Sequence, residues 1–193
     1  FTIRIDSEEL RVTAISGNQF TVVRAVNGVL AAHVQNALVS QGNFANVHGG
    51  GLYNLGDALV QQDFFVGNVA GSRGGAIYNG ISAAANTLDI QQSTFADNFA
   101  SSRGAAIYNE DTLLITNSTI SSNDSGTNAA IGNTLTGTVN INNSTVVDNV
   151  AFRGGGLANT TLGTVTVKNT ILANNLSTAI AGIKAPNARG TLT

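Results

Sequence analysis

The sequence predicts an all-β chain whose main body is a parallel β-helix, a solenoid of about six coils, preceded by a β-rich cap or docking module. Three observations carry that prediction. A Gly-rich phrase recurs as GGGLYN (Gly49–Asn54), GGAIYN (Gly74–Asn79), GAAIYN (Gly104–Asn109), NAAIGN (Asn128–Asn133), GGGLAN (Gly154–Asn159) and a decayed STAIAG (Ser177–Gly182), at offsets of 25, 30, 24, 26 and 23 residues. A second phrase keeps the same period. It reads as Leu59–Asn68, Leu88–Asn98, Leu113–Asn123, Val139–Asn149 and Val165–Asn174, with closing Asn residues 30, 25, 26 and 25 apart. Finally, 24 of the 193 residues are Asn, 21 of them from position 43 onward, a composition that opposes helix and favours repeated turns.

Residues 1–42 stand outside the period. Thr2–Asp6 and Glu9–Ile15 alternate as strands, Ser16-Gly17-Asn18 reads as a turn, and Gln19–Val26 returns as a strand before the turn dipeptide Asn27-Gly28. A small antiparallel meander is expected, followed by a short helical or irregular piece at Leu30–Leu38. Such a block serves either as a cap over an otherwise open coil or as a separate docking module.

Residues 43–182 are the solenoid. Each unit of about 25 residues holds short alternating segments such as Leu113-Leu114-Ile115, enough for three strands and three bends, and too short for a propeller blade of about 40 residues. Stacking puts equivalent residues one above another at ~4.8 Å. Leu52, Ile77, Ile107, Ile131, Leu157 and Ile180 form one aliphatic column; Ile90, Ile115, Ile141 and Val167 a second; Phe65, Phe95, Ile120, Val146 and Ile171 a third. Two amide ladders are expected at the bends: Asn54, Asn79, Asn109, Asn133 and Asn159 in one, Asn68, Asn98, Asn123, Asn149 and Asn174 in the other. The insertion GISAAAN at Gly80–Asn86 accounts for the 30-residue interval as a bulge at one corner. Residues 183–193 read as a C-terminal tail without a recognisable cap, which leaves the last coil for another subunit or for the rest of a longer chain.

Composition then narrows the function. Nine Lys and Arg against eleven Asp and Glu, with no basic stripe, argue against nucleic acid. No apolar run approaches the ~20 residues of a membrane-spanning helix. With no Cys there is no thiolate chemistry, and His33 and His48 have no partner at metal-ligand spacing. No cofactor is implied.

GGGLYN, GGAIYN and GAAIYN, each followed by a coil ending in STFADN, STISSN or STVVDN, resemble the right-handed parallel β-helix repeats of bacterial surface proteins of the polymorphic outer-membrane and autotransporter-passenger type. The resemblance covers residues 43–182. It implies an exported, extracellular or cell-surface protein with an adhesive, scaffold or matrix role, and some related β-helices bind or cleave polysaccharides. Right-handed winding follows from the resemblance and from the general crossover preference. Residues 1–33 resemble short β-modules of phage-tail and bacterial surface proteins.

The acids give no convergent catalytic set. Asp97 and Asp148 share a column two coils apart, about 10 Å at the strand spacing, too wide for one calcium ion and just beyond an inverting carboxylate pair. Glu110, Asp111 and Asp124 read as solvated turn acids, and the chain is expected not to be an enzyme. The sequons at Asn117 and Asn143 recur because the coil recurs. One surface feature stands out. His48, Arg73, Arg103, Thr127 and Arg153 directly precede the Gly-rich phrases, and Tyr53, Tyr78 and Tyr108 sit at equivalent positions beside them. Two readings of this strip stay open, a surface that stacks on sugar rings or a partner, and structural support in which Arg stems cover the neighbouring wall. The partners expected are a second copy head to tail, the rest of a longer surface protein, or a polysaccharide.

Overall fold

The computed structural model describes residues 2–5, 8–16, 19–23, 39–40, 48–81, 85–160, 162–179 and 187–190. Every regular element among them is a β-strand. The described residues from 48 onward form a parallel β-solenoid of about five turns, each turn placing one short strand on each of four walls.

Wall one holds Leu52–Asn54, Ile77–Asn79, Ile107–Asn109, Ile131–Asn133, Leu157–Asn159 and Ala188–Arg189. Wall two holds Ala58–Gln61, Thr87–Gln91, Thr112–Thr116, Thr138–Asn142 and Thr164–Lys168. Wall three is Phe64–Val66, Thr94–Ala96, Thr119–Ser121, Thr145–Val147 and Ile171–Ala173. Wall four is Val69–Ala70, Phe99–Ala100, Asp124–Asn128, Val150–Arg153 and Leu176–Ser177. The three strands per coil expected from the sequence become four because the stretch after the second Asn ladder forms a strand of its own, two to five residues long.

The bends are set by backbone conformation. Left-handed φ recurs at Gln62, Gln92, Asn117, Asn143 and Asn169; at Gly67, Asp97, Ser122, Asp148 and Asn174; and at Gly49, Gly74, Gly104, Ala129 and Gly154. These are three columns, one per corner, filled largely by residue types that tolerate that region. Gly74 shows why glycine is favoured in the third column: a Cβ there would stand 2.4 Å from the carbonyl oxygen of Ile77.

The core sits between the walls. Ile77, Ile107, Ile131 and Leu157 are buried in register, with Leu52 partly buried above them; Ile90, Ile115 and Ile141 stack with Val60 above and Val167 below. Phe65 and Phe95 stack at 4.9 Å, followed by Ile120 and Val146. The first ladder runs as expected, each amide nitrogen donating to the next carbonyl oxygen: Asn54 to Asn79 at 2.8 Å, Asn79 to Asn109 at 2.7 Å, Asn109 to Asn133 at 2.8 Å and Asn133 to Asn159 at 2.9 Å.

Near the ends of the stack, four expectations shift by one residue or more. The second ladder passes from Asn149 to Asn175 (2.8 Å), not to Asn174, which is exposed at a left-handed bend. Leu172, not Ile171, pairs with Val146, and Ile171 faces outward. Ala58, not Leu59, pairs with Leu88. Ile180 lies outside the described residues, and its expected place beside Leu157 is taken by Ala188. Part of the expected tail therefore belongs to the solenoid, since Asn187 also accepts from the Asn175 amide nitrogen at 3.3 Å and so extends the ladder.

In the N-terminal block, Thr2–Ile5, Glu8–Ser16 and Gln19–Val23 form the expected antiparallel meander, and Val39–Ser40 pairs with the free side of Thr2–Ile5. The piece expected at Leu30–Leu38 lies outside the described residues.

Candidate binding site

Wall one positions the aromatic strip. Alternation along each strand sends Ile77 and Ile107 inward and Tyr78 and Tyr108 outward, so the parallel register aligns Tyr53, Tyr78, Tyr108, Gly132, Ala158 and Arg189 in one outward column. Beside it, isolated bridges and the end of wall four align His48, Arg73, Arg103, Asn128 and Arg153. Asn128 replaces the expected Thr127. That coil is one residue shorter than its neighbours between this column and wall one, Asn128 to Ile131 against Arg103 to Ile107 and Arg153 to Leu157, so Asn128 itself stands where the arginine stands.

The upper half of the strip is packed. Tyr53 and Tyr78 stack at 4.9 Å with ring planes 1° apart, Tyr78 and Tyr108 at 5.4 Å, and His48 lies on Tyr78 at 4.7 Å. The Arg73 guanidinium sits 5.0 Å from the Tyr108 ring centroid and 3.7 Å from a Glu110 carboxylate oxygen. Tyr78 donates its hydroxyl to the other Glu110 oxygen at 2.6 Å. Burial, and then Glu110 as both acceptor and charge, push the Tyr78 hydroxyl well above the ordinary tyrosine range. Tyr108 shares a 2.9 Å hydrogen bond with the Thr134 hydroxyl. Only Tyr53 presents a face, at 51% exposure against 7% for Tyr78 and 2% for Tyr108. The three tyrosines expected to project together are therefore an interior stack with one open end.

Below Tyr108 the column loses its rings. Gly132 and Ala158 succeed it in register, and the vacated space is a cavity of about 450 Å³. Arg103 and Arg153 flank it, Arg189 closes the column, and Asn128 and Thr134 contribute to its lining. Among the described residues no carboxylate lines it or pairs with these three guanidiniums. Arg153 lies over Phe152 at 5.4 Å, while its Nε and the Asn128 side-chain oxygen are buried without a hydrogen-bond partner. Sequence reasoning found Arg103 and Arg153 but missed Arg189, whose copy of the repeat has decayed to NARG.

The acids are dispersed. Asp97 and Asp148 occupy exposed left-handed bends with Ser122 between them in the column. Asp111 accepts from the Asn86 backbone at 3.0 Å and the Thr112 backbone at 2.9 Å, and Asp124 lies on wall four in register with Phe99 and Val150. Among the described residues no three His, Asp or Glu side chains cluster as a metal site, and no helix is long and apolar enough to cross a membrane.

Comparison with protein-family models, curated proteins and solved structures returns no match. The fold therefore stands on the repeat and on the structure themselves.

Proposed function

We propose that the chain is an extracellular structural or adhesive β-solenoid module that stacks end to end, on a second copy of itself or on the rest of a longer surface protein. One observation carries this reading. The outward column on wall three reads Phe64, Thr94, Thr119, Thr145 and Ile171: hydroxyl-bearing along its length and apolar at both ends. Both terminal side chains are exposed, as is Leu59 on the first coil and Leu176 on the last. A column wetted along its length and apolar at its ends suits axial association. The N-terminal sheet supplies an unlike surface, as a cap or as the docking piece. Extracellular placement rests on the likeness of the repeat to exported bacterial surface proteins.

Electron microscopy of the purified chain tests the copy-to-copy form: end-joined rods are expected, and a uniform population of single rods at high concentration counts against it. The second reading, polysaccharide binding or cleavage, is favoured by the arginine-flanked cavity. Its cleavage arm is checked by incubating the chain with a polysaccharide panel. Released reducing ends or unsaturated products, abolished by Asp97→Asn, would replace the non-enzymatic reading.

A further inference from the structure

We infer that the cavity below Tyr108 is a binding site for an acidic sugar, a ring-sized polyhydroxylated ligand carrying a carboxylate or a sulfate. The inference is independent of end-to-end stacking. At about 450 Å³ the space lies within the ~300–1,000 Å³ range of small-molecule sites. Three arginines, Arg103, Arg153 and Arg189, line it without a carboxylate among the described lining residues. Three arginines without a carboxylate partner around one space supply a donor set that suits an oxyanion, since each guanidinium fork matches a planar or tetrahedral oxyanion edge.

The two orphaned buried atoms refine the ligand. Arg153 Nε is a donor and takes an acceptor oxygen, which an oxyanion supplies; the Asn128 oxygen is an acceptor and takes a donor. A carboxylate or sulfate at neutral pH carries no proton to give, so a single molecule that satisfies both atoms carries a donor as well, which a sugar hydroxyl supplies. Thr134 adds a third polar group to the lining. The floor fits the same picture. Where the coils above carry tyrosine, these carry Gly132 and Ala158, so two successive side-chain volumes are left for a ligand beneath the aromatic stack.

Gly132 also provides the test. A Cβ there would meet only ordinary contacts, the nearest being 3.4 Å, with the Tyr108 ring at 3.6 Å, so Gly132→Tyr extends the stack into the cavity without disturbing the bend. Titration calorimetry of the full chain would use glucuronate, a 6-O-sulfated glucosamine, glucose and inorganic sulfate as probes. At least one acidic sugar should bind, more tightly than inorganic sulfate, while glucose does not; the first two probes tell carboxylate from sulfate recognition. Arg153→Gln and Arg103→Gln should each weaken that binding by roughly tenfold, and added salt should weaken it further. Gly132→Tyr should abolish it with the thermal unfolding midpoint retained. No binding of either acidic sugar at millimolar concentration, equal binding of glucose, or undiminished binding by a folded Gly132→Tyr chain would each overturn the assignment. Binding of inorganic sulfate as tight as that of both sugars would overturn the sugar component.

Discussion

Tyr78 concentrates most of what the wall-one face does at the level of one side chain. Its ring is sandwiched between Tyr53 and Tyr108 and its hydroxyl donates to Glu110, which Arg73 also holds. Gly80 is forced by this packing, because a Cβ there would stand 2.5 Å from the Tyr78 ring and 2.9 Å from Leu55. The raised ionisation of Tyr78 has a definite sign: the native state favours the neutral phenol, so its contribution to stability is intact below the unfolded-chain value near ~10 and is lost as pH climbs through the higher native value. Denaturant unfolding measured at pH 8 and again above pH 10 should therefore show a loss of stability at the alkaline end. Tyr78→Phe should reduce that loss and cost about 1–2 kcal/mol at pH 8 through the missing charged hydrogen bond. An alkaline loss equal in both chains would place the effect elsewhere. The equivalence of the three tyrosines was legible in the sequence, since GLYN, AIYN and AIYN align without a gap. The burial of Tyr78 and Tyr108 was not: their hydroxyl partners, Glu110 and Thr134, lie outside the repeated phrase.

Coils are held together mainly by what passes from one to the next. Asn123 is representative of the second ladder: its amide nitrogen donates to Asn149 Oδ1 at 2.9 Å and to the carbonyls of Phe95 and Ser121, while its oxygen accepts from both the backbone and the side chain of Asn98. Asn123→Ala strands these buried partners together, and a loss of about 3 kcal/mol or more is expected in urea unfolding. Asn174→Gly should change stability by less than about 1 kcal/mol, since Asn174 is exposed and glycine accepts its φ of 53°. Asn175→Ala should behave like Asn123→Ala. Equal effects at 174 and 175 would contradict the ladder assigned here. The doublet also shows where the repeat stops being readable. Period alone cannot choose between adjacent Asn residues or between Ile171 and Leu172, and in a strand one residue of slip exchanges inside for outside. In the middle coils, where Ile90, Ile115 and Ile141 recur without a slip, columns read from sequence and columns in the structure coincide.

For the molecule as a whole, nearest-neighbour stacking separates stability from association. Each coil touches only the coils above and below, so interior substitutions act on folding, while substitutions on the outward residues of the terminal coils act on whatever meets the ends. The parallel solenoid was legible because two phrases kept one period. Its closing strand was not, because Ala188–Arg189 retains neither phrase and joins wall one only through pairing with Leu157–Ala158. On walls three and four the last strands have a neighbour on one side only among the described residues, beside the exposed Ile171 and Leu176. If these ends are the joint, charge there should separate the rods and leave each rod intact. A chain carrying Ile171→Lys and Leu176→Lys should show an unfolding midpoint close to the parent, because both side chains already face water, at 60% and 53% exposure. In sedimentation velocity it should stay a single slow species over concentrations at which the parent shifts to faster ones. Thr119→Lys, on the same outward wall-three column but in the middle of the stack, is the matched control and should associate like the parent. Lateral packing would reverse this pattern, with the mid-column lysine dispersing the rods and the terminal pair leaving them joined.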